Sequence, residues 1–325
     1  MLNTCSCHSI TTNANQRRYD PTRTLTLRNA FSQKMSLRFR RFKAIIRKSI
    51  VDEDCFGLKQ DNILNQVELT TRGRSAFNFS RSQDKVAAFM DWLGTQEQAG
   101  LLETRNLTQI GVAAESAWTD KYIYDSYSRG VQRARYELQQ AGYGVPSLES
   151  TGGIHASMST PFHVDRVGLL YTRAFSDLKG ITSTMDTQIS RILAQGIADG
   201  NNPNLLAKKL LATISGPDNN LGITDTLGRF IPAERRAKML ARTEIIRAHH
   251  QATIQEYKNW GAEGVTVMVE FVTAGYNVCP QCAELNGRTF TLAEIKNIIP
   301  VHPHCRCCAI PVKKESISKK PRSRK

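Results

Sequence analysis

The stretch from Val278 to Cys308 constrains this chain more than any other. It reads Val278-Cys279-Pro280-Gln281-Cys282 and, past Gly287 and Pro300, Val301-His302-Pro303-His304-Cys305-Arg306-Cys307-Cys308. Five of the chain's eight cysteines and two of its seven histidines fall there, a density that scattered core cysteines do not produce. Two turns facing one another can supply a tetrahedral shell of thiolate and imidazole, which is how structural zinc sites hold short, loop-rich segments. Cys279 and Cys282 form the first pair, Cys305 is the preferred third ligand, and His302 or Cys307 the fourth. A disulfide, buried free thiols and a redox Cys-x-x-Cys are the competing readings. Residues 1–20 are polar and carry no apolar signal core, so a reducing compartment is the default expectation and metal-bound thiols are favoured. A catalytic zinc is disfavoured, because such a site keeps a position open for water beside a poised acid. The nearest acid, Glu284, has no partner motif.

Charge is the second constraint. The net +15 is concentrated at two places. Arg17 to Val51 carries eleven basic residues against the single acid Asp20, and Lys313 to Lys325 carries seven against Glu315. These segments hold net +10 and +6, which leaves the rest of the chain near neutral. Charge gathered this way is an electrostatic footprint for a polyanion, with a solvated face or solubility tail as the bland alternative. In the first segment Leu27, Phe31, Met35, Phe39, Phe42 and Ile46 recur at helical spacing. Arg38, Arg40, Arg41, Lys43, Arg47 and Lys48 cover the other side as candidate contacts to DNA or to an acidic protein surface. Lys319, Lys320, Arg322, Arg324 and Lys325 are the matching candidates in the C-terminal tail.

At 325 residues the chain exceeds one ordinary core, and no apolar run reaches the ~18 residues of a membrane span. A short strand is expected near Val67, a helix over Asp84 to Leu102, and a long helix from about Leu107 to Gln140. Gly144 to Pro161 has linker composition. Two helix-period stripes follow, separated by Gly180, as two helices or one bent one. Asn202-Pro203 then supplies a cap and a first-turn proline. From Pro232 to Trp260 a small-residue stripe, Ala237, Ala241, Ile245, Ala248 and Ala252, marks a helix that others can approach closely. Arg242, Thr243 and Glu244 on it are expected to be structural, an ion-pair and hydrogen-bond set reaching the strand or the metal lobe. His249 and His250 are adjacent and so do not form the i, i+4 pair of a helical metal site. Strands are expected at Val265 to Thr273, Arg288 to Thr291 and Cys308 to Val312.

The fold class expected is mainly α, a multi-helix body with a small zinc-bound α+β C-terminal lobe. The expected division is a tail over 1–20, a basic helical domain over 21–145, a linker over 146–160, a helical part over 161–261, the zinc lobe over 262–312 and a basic tail over 313–325.

One order of motifs carries a family resemblance. Ala241-Arg242-Thr243-Glu244 lies on a helix, followed by Tyr257, Trp260-Gly261, a strand, Cys279-x-x-Cys282, Leu285-Asn286-Gly287 and His302-Pro303-His304-Cys305-Arg306-Cys307. This resembles the Mu F-type minor head proteins of tailed bacteriophages, also called head morphogenesis proteins, over roughly residues 160 to 312. Its most specific part is the His-Pro-x-Cys-Arg-Cys ending paired with the upstream Cys-x-x-Cys. The resemblance implies a virion protein made in the host cytoplasm, present in few copies near the portal, with the portal and the major capsid or scaffold protein as partners and no membrane. Non-specific double-stranded DNA is the further partner suggested by the basic ends. No enzymatic activity is expected. The alternatives are a DNA-acting nuclease, against which stands the absence of clustered carboxylates or a Gly-rich phosphate loop, and a zinc-containing DNA-binding protein.

Overall fold

A computed structural model of the chain describes residues 20–59, 76–109, 112–216, 231–261, 267–274 and 278–313. The strand expected near Val67 and the basic residues Lys319, Lys320, Arg322, Arg324 and Lys325 lie outside the described residues. The chain is mainly helical with small antiparallel sheets, and it divides into two compact units. One comprises Met1–Phe31, Thr119–Ala174 and Ala241–Lys325; the other comprises Ser32–Trp118 and Phe175–Leu240.

Helix α1 (Leu25–Arg47) buries Leu27, Phe31, Met35, Phe39, Phe42 and Ile46, the stripe expected from the spacing. It ends in a π turn over Lys48–Asp52 that buries Ser49 and Ile50. In the second unit α2 (Ser82–Gly100) places Phe89 against Phe56, Phe77 and Trp92, with ring centroids 5.2, 5.7 and 5.2 Å away. The long helix expected from Leu107 begins instead at Asp120. Before it stands a hairpin of β1 (Thr104–Gln109) and β2 (Val112–Ala117), paired from Thr104↔Ala117 to Gln109↔Val112. Two features hold it. Thr104, Thr108 and Val112 are β-branched, and Trp118 clamps the base, its backbone N–H donating to Glu103 O (3.2 Å) and its indole N–H to Leu101 O (2.9 Å).

Helix α3 (Asp120–Gln140) opens the middle segment of the first unit. The stretch expected to be a linker carries a 3-10 turn at Glu149–Thr151 and the short helix α4 (Gly153–Met158). Helix α5 (Pro161–Ala198) runs without a break at Gly180. Helix α6 (Pro203–Ser215) starts as expected: the Asn202 side chain accepts from Leu205 N at 2.9 Å, Pro203 fills the first position, and Leu206, Leu210 and Ile214 are buried. Helix α7 (Ala233–Gly261) buries its small-residue stripe.

Within the first unit α3 meets α7 closely. A Cβ on Gly130 would lie 2.5 Å from the His249 carbonyl and 2.7 Å from Ala252 Cβ, and Ser126 Oγ donates to Ile245 O at 2.6 Å. A buried polar network joins α3, α5 and α7. Glu256 accepts from Arg135 Nε (2.6 Å) and Trp260 Nε1 (2.7 Å) and lies 3.2 Å from His163 Nε2, while His163 Nδ1 is 2.8 Å from the Tyr127 hydroxyl. Burial acts to raise the Glu256 pKa, and the His163, Arg135 and Trp260 partners bring it below the usual carboxylate range.

The three-stranded sheet of this unit has the order β4-β3-β5, with β3 (Met268–Val272) central and antiparallel to β4 (Thr289–Thr291) and β5 (Cys308–Pro311). These lie inside the three strands expected. Val269 and Phe271 on one face of β3 join a core with Leu138, Ile254, Tyr257, Ile295 and Ile299. Each such fully buried large side chain contributes about 1.5–3 kcal/mol, but the strands are too short to fold on that alone. Short helices α8 (Pro280–Leu285) and α9 (Leu292–Ile295) complete the lobe, α9 opening with a capping box between Thr291 and Glu294.

Candidate metal centre

The Cys-x-x-Cys segment is shaped by helix initiation. Cys279 is the N-cap of α8 with Pro280 at its first position, and Cys279 Sγ accepts from Cys282 N at 3.3 Å. The turn brings both sulfurs to one side. Cys282 is buried and Cys279 half-buried. Opposite them the chain leaves α9 and turns at His302-Pro303-His304. Cys305 N donates to His302 O at 3.1 Å, and His304 takes φ +64°, a left-handed conformation that closes the turn.

His302 is the informative residue. Its Nδ1 lies 2.7 Å from the Pro303 carbonyl, and a carbonyl can only accept, so Nδ1 carries the proton and Nε2 its lone pair. Nε2 is aimed at the two thiols, 3.1 Å from Cys279 Sγ and 3.2 Å from Cys282 Sγ. A ring nitrogen held in this tautomer by a backbone carbonyl is how metal-binding histidines are commonly oriented. Cys279, Cys282 and His302 offer donor atoms within 4.8 Å of one another, and so do Cys282, Cys305 and Cys307. Cys282 belongs to both groups.

Residues 305–307 lead into β5, and Cys305 and Cys307 stand with Cys282 while Cys308, the first residue of the strand, does not. Cys305 and Cys307 are 1% and 4% exposed beside Cys282, whereas Cys308 Sγ lies 3.6 Å from Arg133 Nη2. The thiols crowd one another. A hydrogen bond from Cys307, followed by burial acting the other way, leaves Cys305 at a pKa of about 5, and burial with the nearby Cys305 pushes Cys282 up to about 12. The hydrogen bond to Cys305 and burial push Cys307 up as well. A cluster that ionises one thiol at the expense of its neighbours is what a divalent cation relieves. Thiolate and imidazole donors, buried and more than three in number, fit zinc.

The helical motif expected to support this lobe, Arg242, Thr243 and Glu244, has the following surroundings. Thr243 Oγ1 accepts from His304 N at 3.3 Å, tying α7 to the turn. Glu244 does not pair with Arg242, which is exposed. It bonds Arg247 Nε at 2.9 Å and lies 3.7 Å from Arg173, because residues three apart share a helix face and residues two apart do not. His249 and His250 are buried, which depresses both imidazoles, His250 to about 4. His250 Nε2 donates to Ile295 O at 3.1 Å.

The basic side of α1 is divided. Arg38 donates to Glu103 Oε2 (2.6 Å) and to the Gly100 carbonyl and stacks 4.3 Å from the Trp118 ring centre, and Lys43 pairs with Glu234 at 3.0 Å. Arg40 and Arg41 are exposed, and Arg47 and Lys48 form exposed pairs with Asp52 and Glu53 at 3.9 and 3.3 Å. The buried Arg135–Glu256–His163–Tyr127 network carried no sequence signal, since its members are far apart in the chain and follow no motif.

Residues 187–310, 124 of the 325, match the family model described as Phage Mu protein F like protein. The match begins inside α5 and ends in β5, so it contains all five candidate ligands. No curated protein and no solved structure matches the chain.

Proposed function

We propose, from the premise that residues 187–310 are a Mu F-like head-morphogenesis segment, that this chain is a minor head protein of a tailed phage. It takes its place in the virion near the portal, touching the portal and the major capsid or scaffold protein, and is made in the host cytoplasm. The observation that carries the reading is the coincidence of the family match with the Cys/His cluster inside it. In this role Cys279, Cys282, His302 and a thiol of the 305–307 segment hold a structural zinc ion, which contributes folding energy to a lobe whose strands are too short to stand alone. The protein is non-enzymatic. Exposed Arg40, Arg41, Arg47 and Lys48, together with the C-terminal basic residues, make sequence-independent contacts to packaged double-stranded DNA. Among the described residues no helix is long and apolar enough to cross a membrane, and none is needed for this role.

Co-expression with the portal protein of the same phage tests the central claim. The chain is expected to co-purify with the portal oligomer, and purified protein is expected to leave DNA intact across a series of divalent metals. Failure to associate with portal or with assembled heads would remove the reading, and metal-dependent cleavage of DNA would return the nuclease alternative.

A further inference from the structure

Zinc takes four ligands in a structural site, and five side chains stand around this one. We propose that Cys305 and Cys307 are alternative occupants of a single coordination position, so that the site carries one thiol in reserve and Cys282 is the pivot on which both arrangements turn. This rests on the reading that the cluster binds metal.

The geometry carries it in three steps. His302 Nε2 and the sulfurs of Cys279 and Cys282 already form a mutually close triad, and the imidazole tautomer is set for coordination by the Pro303 carbonyl. That leaves one position. Cys305 and Cys307 both belong to the second triad, each with its sulfur within 4.8 Å of that of Cys282, and both are buried. Neither is oriented away, as Cys308 is towards Arg133. Either thiol can enter the shell by losing its proton to solvent, with the other remaining as a protonated neighbour that donates a hydrogen bond to the bound sulfur. A shell built this way keeps its metal when one of the two thiols is lost, whereas loss of Cys282 leaves each arrangement short of a member.

The test uses the full chain and two probes, Zn²⁺ content by elemental analysis and the thiolate-to-metal charge-transfer band after loading with Co²⁺. Wild type is expected to hold about one ion per chain with a band of three thiolates and one imidazole. Cys305→Ser and Cys307→Ser should each retain the ion, with the band unchanged in strength because the reserve thiol replaces the one removed, and affinity lowered by less than tenfold. Cys282→Ser and the double variant Cys305→Ser/Cys307→Ser should lose it. If either single variant at 305 or 307 loses metal as completely as Cys282→Ser, or fails to fold in the presence of Zn²⁺, the reserve does not exist. A wild-type Co²⁺ band of four thiolates would also overturn it, without depending on any variant. Wild type that binds no metal at all sinks the metal reading itself, which is a different result.

Discussion

Glu97 is a carboxyl group that the fold holds without its charge. It is 3% exposed on α2, and burial, followed by its hydrogen bond to Asp186, raises its pKa to about 9. Burial also raises Asp186, and the Glu97 hydrogen bond opposes that shift, so Glu97 is the partner that keeps the proton and donates it. The sign for stability follows from linkage. Below about 4.5, where the unfolded group is also protonated, the pair carries no penalty; as pH rises from there towards about 9 the unfolded chain releases a proton that the folded one keeps, and stability falls. Glu97→Gln retains a donor to Asp186 and has no proton to lose. It is expected to flatten this pH dependence and to raise stability at pH 8 by about 1–3 kcal/mol, read from denaturant unfolding at several pH values. Equal slopes for the two proteins between pH 5 and pH 9 would refute the assignment.

At the scale of elements, the approach of α3 to α7 depends on a missing side chain. Gly130 has no room for a Cβ against the His249 carbonyl and Ala252, so Gly130→Ala is expected to destabilise the protein by about 1–3 kcal/mol. That loss outweighs the roughly 1 kcal/mol that alanine gains over glycine in a helix interior. Thermal unfolding measures it, and a raised midpoint would show that the helices can separate at no cost. This close approach also shows what could be read beforehand. The alanine stripe of α7 announced a helix made to be approached, and the stripes of α1 and α6 and the β-branched run of β3 placed their elements, because burial repeats with the period of the backbone. The hairpin at 104–117 was not legible as such. Its residues have weak helical patterning, and the contacts that settle it, from Trp118 to Glu103 and Leu101, depend on tertiary closure. The Cys/His cluster was legible because ligands cluster in sequence. That His302 belongs with the Cys-x-x-Cys pair, and that Cys308 turns away, needed the backbone direction at each position.

For the whole molecule, charge and connectivity are the relevant properties. The proposed DNA contacts are non-specific, so affinity should fall steeply with salt, by about 0.9 in log–log slope for each phosphate contact. Replacing Arg40, Arg41, Arg47 and Lys48 together by Gln is expected to flatten that slope by up to ~3–4 with the metal content unchanged. Arg38→Gln should act instead on stability, since its guanidinium is occupied by Glu103 and Gly100. A quadruple variant with the wild-type slope would move DNA contact away from this face. Connectivity has a separate consequence. The first unit is assembled from three separate stretches of chain, and the first and third share a partner in the second: Arg133 donates to the Pro21 carbonyl and lies against Cys308. Domains commonly fold in the order in which a ribosome delivers them, yet here residues 20–31 emerge long before the strand that completes their surroundings. Residues 20–31 must therefore wait for residues 308–311, and a nascent chain stopped anywhere between the two contains no complete copy of that unit.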